Sequence, residues 1–152
     1  MSRIDFVWSG PPLTERDFDD VERSIGRVIP SELKQLYLWH NGGRPRLRCF
    51  FDEKGGEHAI HEFLTMKHRG GKNARLLEDS FATLKQKSIL PANALPIAVN
   101  EGGDFYFLDN TTGEVYFLAM DYVDQPSRAR RHVAASVSEF LATMVSDEEM
   151  FG

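Results

Sequence analysis

Six carboxylates between Leu95 and Gln125 are the residues of this sequence with the most evident chemical potential. They are Glu101, Asp104, Asp109, Glu114, Asp121 and Asp124, and no lysine or arginine lies among them. Paired carboxylates can serve as a general acid and a general base, and Glu101, Asp104 and Asp109 are the candidates for such roles. Two of the three lie at or beside predicted turns, where a solvated carboxylate makes a poor general acid. The acidic segment therefore favours binding of a basic partner over catalysis.

The histidines and the single cysteine are weaker candidates for a catalytic or metal site. His58 and His61 are three residues apart, and on a strand this spacing directs two side chains to opposite faces. Cys49 could act as a nucleophile with His132 or His40 as its base, but the two phenylalanines that follow it predict a buried structural thiol. We predict no metal, no cofactor and no enzymatic activity. The alternative is a metal-dependent hydrolase or nuclease built on carboxylates and histidines.

The distribution of positive charge argues against direct binding of nucleic acid. The net charge is -5, and the two basic runs, Arg44–Arg48 and Arg128–Arg131, hold three arginines each. We expect these arginines to pair with nearby acids or to lie in solvent. The glycine-rich stretch Arg69–Asn73 lacks the Gly-x-x-x-x-Gly-Lys-Ser/Thr spacing that cradles phosphates, so it predicts a loop before a helix.

The helices that must position these residues are marked by caps and by apolar spacing. Thr14 is the predicted N-cap of a first helix, whose apolar positions are Phe18, Val21 and Ile25. A second helix is predicted to start near Pro30 and to end at Asn41-Gly42-Gly43, and a third to run from Asn73 to Lys87. The last predicted helix starts at Ser136, and its apolar stripe is Val137, Phe140, Leu141, Met144 and Val145. Helices therefore flank a central part of the chain that is richer in strand-forming residues.

That central part predicts an antiparallel sheet. Runs at 47–51 and 58–63 flank a hairpin turn at 52–56. Three further runs at 97–99, 105–108 and 115–118 are separated by the turn sequences Asn-Glu-Gly-Gly and Asn-Thr-Thr-Gly. Together these runs predict an α+β domain with a hairpin, a three-strand meander and helices packed around them.

The aromatic side chains of the meander divide between core and surface. Both faces of the predicted strands at 105–108 and 115–118 are apolar, so both faces should be covered by helices or by a partner. Tyr106, Tyr116 and Tyr122 are the aromatics expected to reach a surface, because a phenol tolerates one solvated end. With Glu101, Asp104 and Asp109 at the rim of the meander, they form the predicted partner-binding residues.

Length and composition indicate one domain, residues 1–152, with a core from about 14 to 145. The chain has 41% hydrophobic and 27% charged residues, which is ordinary for a globular protein. The first six residues have no apolar signal region, and no apolar run approaches the roughly 20 residues that span a bilayer. We expect a cytoplasmic protein with no membrane contact.

The order of motifs resembles that of the SUKH superfamily. The first part of the resemblance is Ile29–Tyr37 followed by Asn41-Gly42-Gly43, which is similar to the family's Leu-Pro, helix, Asn-Gly-Gly signature. The second part consists of Leu95–Ala98, Gly102–Asp104 and Asp109–Val115, which resemble its Pro-Ile-Ala, Gly-Gly-Asp and Gly-x-Val segments. The resemblance covers about residues 14–145, and Arg44–Lys87 matches it least.

The resemblance implies an α+β fold and a role in protein interaction. Bacterial members look like immunity proteins that neutralise toxins delivered between competing cells, and fungal relatives regulate cell-wall synthesis. No catalytic residues carry over from this family. The sequence therefore predicts an immunity protein whose partner is a basic toxin domain, and the alternative is a regulatory interaction scaffold.

Overall fold

The computed structural model describes residues 3–69, 74–122 and 130–152, and for Tyr122 it describes the backbone alone. The strands of this part of the chain are β1 (Phe6–Gly10), β2 (Asn41–Pro45), β3 (Cys49–Phe51), β4 (Glu57–Ala59), β5 (Glu62–Phe63), β6 (Ala94–Val99), β7 (Phe105–Asp109), β8 (Val115–Leu118) and β9 (Arg130–Ala134). The helices are α1 (Glu15–Ile25), α2 (Ser31–Trp39), α3 (Leu77–Gln86), α4 (Val137–Ala142) and α5 (Asp147–Phe151), with a 3-10 turn at Met120–Tyr122. No helix in the described ranges is both long enough and apolar enough to cross a membrane.

The strands form one large antiparallel sheet and one small one, which confirms the predicted α+β fold. The large sheet has the order β1-β2-β5-β6-β7-β8-β9, and the hairpin β3–β4 forms a separate two-stranded sheet. The meander β6–β7–β8 is confirmed, with Phe105 opposite Leu118 and Tyr106 opposite Phe117. The predicted run 58–63 divides, because Glu62 and Phe63 leave the hairpin and pair with β6 in the large sheet.

Both faces of the large sheet are covered, as the two-sided apolar pattern predicted. On one face, Tyr106 and Leu108 join a large cluster that includes Phe50 of the hairpin and Phe140 of α4. On the other face, β7 and β8 pack against α3, and the buried members there are Leu84, Ala94, Phe107, Tyr116 and Leu118. The aromatic residues of the meander are therefore core residues of both layers.

Helix α1 forms where its cap and its apolar spacing predict it. The Thr14 hydroxyl accepts a hydrogen bond from the Asp17 amide at 3.3 Å, and the Asp17 carboxylate accepts one from the Thr14 amide at 2.8 Å. Phe18, Val21 and Ile25 are buried, as predicted. This reciprocal cap satisfies amides at the start of the helix that have no partner within it.

The Asn-Gly-Gly segment does more than stop α2. The helix ends at Trp39, but Asn41–Pro45 is strand β2 and not a glycine C-cap, so that part of the prediction is wrong. Gly43 has φ 102°, and a Cβ there would lie 2.0 Å from the Trp8 carbonyl oxygen. Glycine is required because β1 passes too close for any side chain.

The predicted final helix is also shorter than its apolar stripe. Helix α4 ends at Ala142, and Val145 is extended, since its backbone exchanges hydrogen bonds of 3.1 and 2.7 Å with Cys49. Helix α5 follows after this bridge. Similarly, α3 begins at Leu77 rather than near Asn73, and residues 70–73 lie outside the described part of the chain.

Candidate protein-binding site

The structure separates the three predicted rim carboxylates. Glu101 and Asp104 lie at the turn between β6 and β7, whereas Asp109 ends β7 and begins the turn to β8. The five residues of β7 hold the two turns roughly 17 Å apart, at about 3.4 Å per residue. The rim of the meander is therefore two sites at opposite ends of the strands and not one surface.

Two of these carboxylates accept hydrogen bonds from backbone amides, Asp109 within its own turn and Asp104 from the 3-10 turn that follows β8. Asp104 is half-buried, and its Oδ1 accepts a hydrogen bond from the Met120 amide at 2.9 Å. Asp109 is also half-buried and accepts from the amides of Thr111 and Thr112 at 2.7 and 3.0 Å. Glu101 is exposed and forms no hydrogen bond or ion pair with the described residues. Glu101 is the predicted carboxylate whose oxygens remain available to a partner.

The expectation that tyrosines reach the surface is wrong for Tyr106 and Tyr116, which are 0% and 1% exposed. Tyr106 lies beneath the hairpin, and the Tyr116 ring lies beneath the Arg130 guanidinium, whose carbon is 3.8 Å from the ring centroid. Burial raises the pKa of Tyr116 to about 12. The Tyr122 side chain lies outside the described residues. Tyr106 and Tyr116 are therefore core residues and not exposed contact residues.

A buried hydrogen-bond chain fixes the hairpin to the large sheet. His58 Nδ1 lies 2.9 Å from the Tyr106 hydroxyl, and His58 Nε2 lies 2.8 Å from Asp52 Oδ2. Although burial raises the pKa of Asp52, hydrogen bonds from His58 and from the Gly56 and Lys54 amides lower it below its ordinary value. The imidazole also stacks on Phe50 at 5.0 Å. These hydrogen bonds join the two sheets, and the phenol ring of Tyr106 packs in the core.

Between the hairpin, the β6–β7 turn and α5 lies an open cleft of about 360 Å³. The residues that line it are Arg48, Glu57, His58, Ala59, Asn100, Glu101, Gly102, Tyr106 and Phe151. Glu57 and Glu101 are exposed, and neither forms an ion pair within the described ranges. Phe151 is 59% exposed at the edge of the cleft. The cleft thus offers free negative charge next to exposed aromatic surface.

An ion pair holds α5 against the hairpin. Arg48 Nη2 lies 2.7 Å from Asp147 Oδ2, and Arg48 Nη1 donates to the Ile60 carbonyl oxygen at 3.2 Å. The hydrogen bond from Arg48 lowers the pKa of Asp147. The second Asp147 oxygen accepts from the Cys49 thiol at 3.5 Å. The charge of Arg48 is therefore largely neutralised within the chain.

Cys49 has the buried structural environment that its neighbours predicted. Its side chain is fully buried, and this burial raises the pKa of the thiol to about 11. A thiol in this state is a poor nucleophile near neutral pH. Across the described ranges 3–69, 74–122 and 130–152, no group of three or more His, Cys, Asp or Glu side chains is placed to hold a metal ion.

One arginine of each basic run pairs with an acid in the described part of the chain, which is one of the two outcomes predicted for them. Arg48 binds Asp147, and Arg130 forms an ion pair with Glu114. Arg128 lies outside the described part of the chain. A second cavity of about 460 Å³ lies beside α3, where Arg69 pairs with Asp79. Arg46 of the first run is exposed, which is the other outcome predicted for these arginines.

The exposed phenylalanines at the cleft and on the neighbouring hairpin strand, Phe151 and Phe51, were not predicted from the sequence. Phe50 and Phe51 were interpreted together as signs of burial, yet they are neighbours on a strand and point to opposite faces. Phe50 is buried, and Phe51 is 55% exposed. Alternation along β3 could have identified Phe51. No local pattern indicated Phe151, whose position depends on the bridge between Val145 and Cys49.

Comparison with family models identifies the family of this chain. The model of the SMI1/KNR4 family (SUKH-1) matches residues 12–143, which is most of the chain. A comparison with curated proteins finds no match. The match confirms the resemblance seen in the sequence motifs and supports a protein-interaction or immunity-type role in general.

Proposed function

The chain belongs to the SMI1/KNR4 family (SUKH-1), and we propose that it is an immunity protein that binds and neutralises a cognate bacterial toxin in the cytoplasm. The observation that carries this proposal is the cleft beside the hairpin, where Glu57 and Glu101 are exposed and form no ion pair with the described residues. The proposal assigns the chain a binding role and no catalytic step.

Charge explains why such a cleft suits a toxin. A toxin that attacks nucleic acid needs a basic surface to bind phosphates. An acidic protein surface attracts that basic surface over a distance of about a Debye length, which speeds the encounter and competes with the nucleic acid. The net charge of -5 acts in the same direction as the local carboxylates. Together they support a basic toxin domain as the partner.

Co-expression tests the proposal directly. Toxin domains encoded beside this gene are expressed in a sensitive host with and without this chain, and growth is measured. Rescue by the chain from one of these domains is the expected result. If the chain is soluble and folded but rescues growth from none of them, the immunity proposal fails and a regulatory scaffold becomes the better account.

A charge reversal tests the part played by the cleft. Glu101→Lys should slow association with the rescued toxin domain and reduce the dependence of the association rate on salt. Asp19→Lys is the matched control, because Asp19 is exposed on α1 and does not line the cleft. Asp104 and Asp109 are unsuitable for this test, since their replacement would remove hydrogen bonds to the backbone amides of Met120 and Thr111.

A further inference from the structure

We propose that the outward face of the hairpin β3–β4 and α5 is the docking surface of this protein, with Phe51 and Phe151 as its anchors. Its occupant is a basic protein surface that presents an apolar side chain flanked by lysine or arginine. The identity of the partner as a toxin rests on the proposed function. The chemistry of the contact is argued from the exposure of the two phenylalanines, their position on one surface and the charge around them.

The first observation is the exposure of the two aromatic side chains. The large hydrophobic side chains exposed in the described part of the chain are Val7, Val28, Leu38, Leu47, Phe51 and Phe151. Phe51 and Phe151 are the aromatic members of this set, at 55% and 59% exposure. Large aromatic side chains supply most apolar area per residue in interfaces and are frequent energetic anchors. The other four are aliphatic and have less area to bury.

The second observation is that the two anchors share a neighbour. Phe51 lies directly opposite Glu57 in the hairpin, where side chains on one face are about 5 Å apart. Glu57 and Phe151 line the same cleft. Glu57 therefore connects the two aromatic side chains into one surface, with Glu101 on the far wall of the cleft.

The third observation is the sign of the free charge around the anchors. Glu57, Glu101 and Glu148 are exposed and form no ion pair with the described residues. The one cation lining the cleft, Arg48, is already bound to Asp147. A partner that buries the two phenylalanines must approach these carboxylates, so cations around its apolar side chain are favoured.

The same charges argue against a second copy of this chain as the occupant. A two-fold contact would place the same patch on both partners. Glu57 and Glu101 of one copy would then face the carboxylates of the other, and like charges brought together in an interface cost several kcal/mol. A basic partner of different sequence avoids this cost.

The surface is held in place before binding. The chain from Asp52 through His58 to Tyr106 fixes the hairpin to the sheet, and the backbone bridge between Cys49 and Val145 leads into α5. A preformed surface loses little conformational entropy when a partner binds. The anchors are therefore displayed on regular elements and not on a loop.

Alanine substitutions at the anchors test the proposal with the toxin domain from which the wild-type chain rescues growth. Phe51→Ala and Phe151→Ala should each weaken its binding about tenfold or more, measured by calorimetry. Val28→Ala is the control, because Val28 is 74% exposed and does not line the cleft. Urea unfolding of each variant checks that exposed truncations leave the fold intact. Anchor variants that bind like Val28→Ala, while rescue by the wild-type chain persists, would overturn the docking surface and leave the immunity role standing.

A second measurement does not depend on any toxin. The 15N-labelled chain is titrated with the peptide acetyl-Lys-Lys-Leu-Lys-Lys-amide and, separately, with its counterpart in which glutamate replaces lysine. We expect amide shift changes centred on Phe51, Glu57 and Phe151 with the lysine peptide alone, and their loss in Glu57→Lys. Changes spread over other surfaces, or none, would contradict the proposal. If wild-type rescue fails but this pattern appears, the immunity role is wrong and the docking chemistry stands.

Discussion

The Nδ1 atom of His58 lies 2.9 Å from the hydroxyl oxygen of Tyr106, and this contact joins the small hairpin sheet to the centre of the large sheet. The other imidazole nitrogen is bound to Asp52, so the ring has a partner at each end. A buried polar chain of this kind stabilises a structure only while every member is satisfied. Its role here is to position the face that carries Phe51.

Removing the Tyr106 hydroxyl should therefore destabilise the protein. In Tyr106→Phe, the His58 Nδ1 atom is left buried without a partner, and the expected loss in the free energy of unfolding is about 1–3 kcal/mol. Equilibrium urea denaturation measures this loss. Because the hairpin carries the docking surface, binding by the variant should weaken as well.

Tyr116→Phe is the matched control for that substitution. The Tyr116 hydroxyl is equally buried, but it has no hydrogen-bond partner among the described residues. Its removal should leave the free energy of unfolding unchanged or raise it slightly, because no bond is lost and a buried polar atom is removed. Equal losses in Tyr106→Phe and Tyr116→Phe would show that the contact with His58 contributes nothing.

The lowered pKa of Asp52 predicts a loss of stability in acid. A carboxyl whose pKa is lower in the folded state binds protons more readily when unfolded, so its contribution is full above its ordinary pKa of 3.8 and disappears as pH falls through the folded value. Asp52→Asn keeps an acceptor for the amides of Lys54 and Gly56 but removes the charge. The difference in unfolding free energy between wild type and Asp52→Asn should shrink below pH 3.8. A difference that is constant from neutral pH to pH 2 would contradict the assignment.

Glu62 should affect stability with a pH dependence opposite in sign to that of Asp52. It is 4% exposed in the large sheet, and burial raises its pKa above 4.5 despite the nearby charges of His61 and Arg75. Ionising a carboxyl whose folded pKa is raised costs stability at neutral pH, and the cost vanishes below its ordinary pKa. Glu62→Gln should therefore be more stable than wild type at pH 7 and equal to it below pH 4.5, as followed by urea denaturation. Glu57→Gln, at an exposed position of the hairpin, should show no such gain.

Local signals in the sequence were sufficient for much of the fold. The Thr14 cap, the glycine turns of the meander and the two-sided apolar strands each depend on residues close in the chain, and all three are present in the structure. Strands β1 and β9 were not predicted. Strand β1 is defined by pairing with β2, which follows it only after two helices, and β9 adds to the outer edge of the meander beside β8. The local signals therefore describe the centre of the sheet better than its edges.

In the candidate site, too, local signals predicted some residues correctly and non-local packing decided the others. Glu101 was predicted because a carboxylate in an Asn-Glu-Gly-Gly turn must be solvated, and it is exposed. Tyr106 was misplaced, because its burial depends on a hairpin from another part of the chain that covers it. Composition indicates which residues tolerate a surface position, but non-local packing decides which of them are exposed.

Gly43 and Gly26 give the most direct test of why particular glycines are needed. Both have positive φ values, but a Cβ at Gly43 would lie 2.0 Å from the Trp8 carbonyl oxygen, whereas a Cβ at Gly26 would have nothing within 4 Å. Gly26→Ala should cost about 1–2 kcal/mol of unfolding free energy, from left-handed strain alone. Gly43→Ala adds a clash with backbone and should cost about 3 kcal/mol or more, or prevent folding, because β1 must separate from β2.

Urea midpoints of the two alanine variants measure this difference, and circular dichroism reports whether Gly43→Ala folds at all. Equal midpoints would mean that β1 can move away from Gly43 without cost. Glycine would then be needed at position 43 only for its positive φ, as Gly26 is at the end of α1. A large difference between the midpoints would show that the Asn-Gly-Gly segment is needed for the close packing of β1 against β2. Ending helix α2 would not by itself require glycine at position 43.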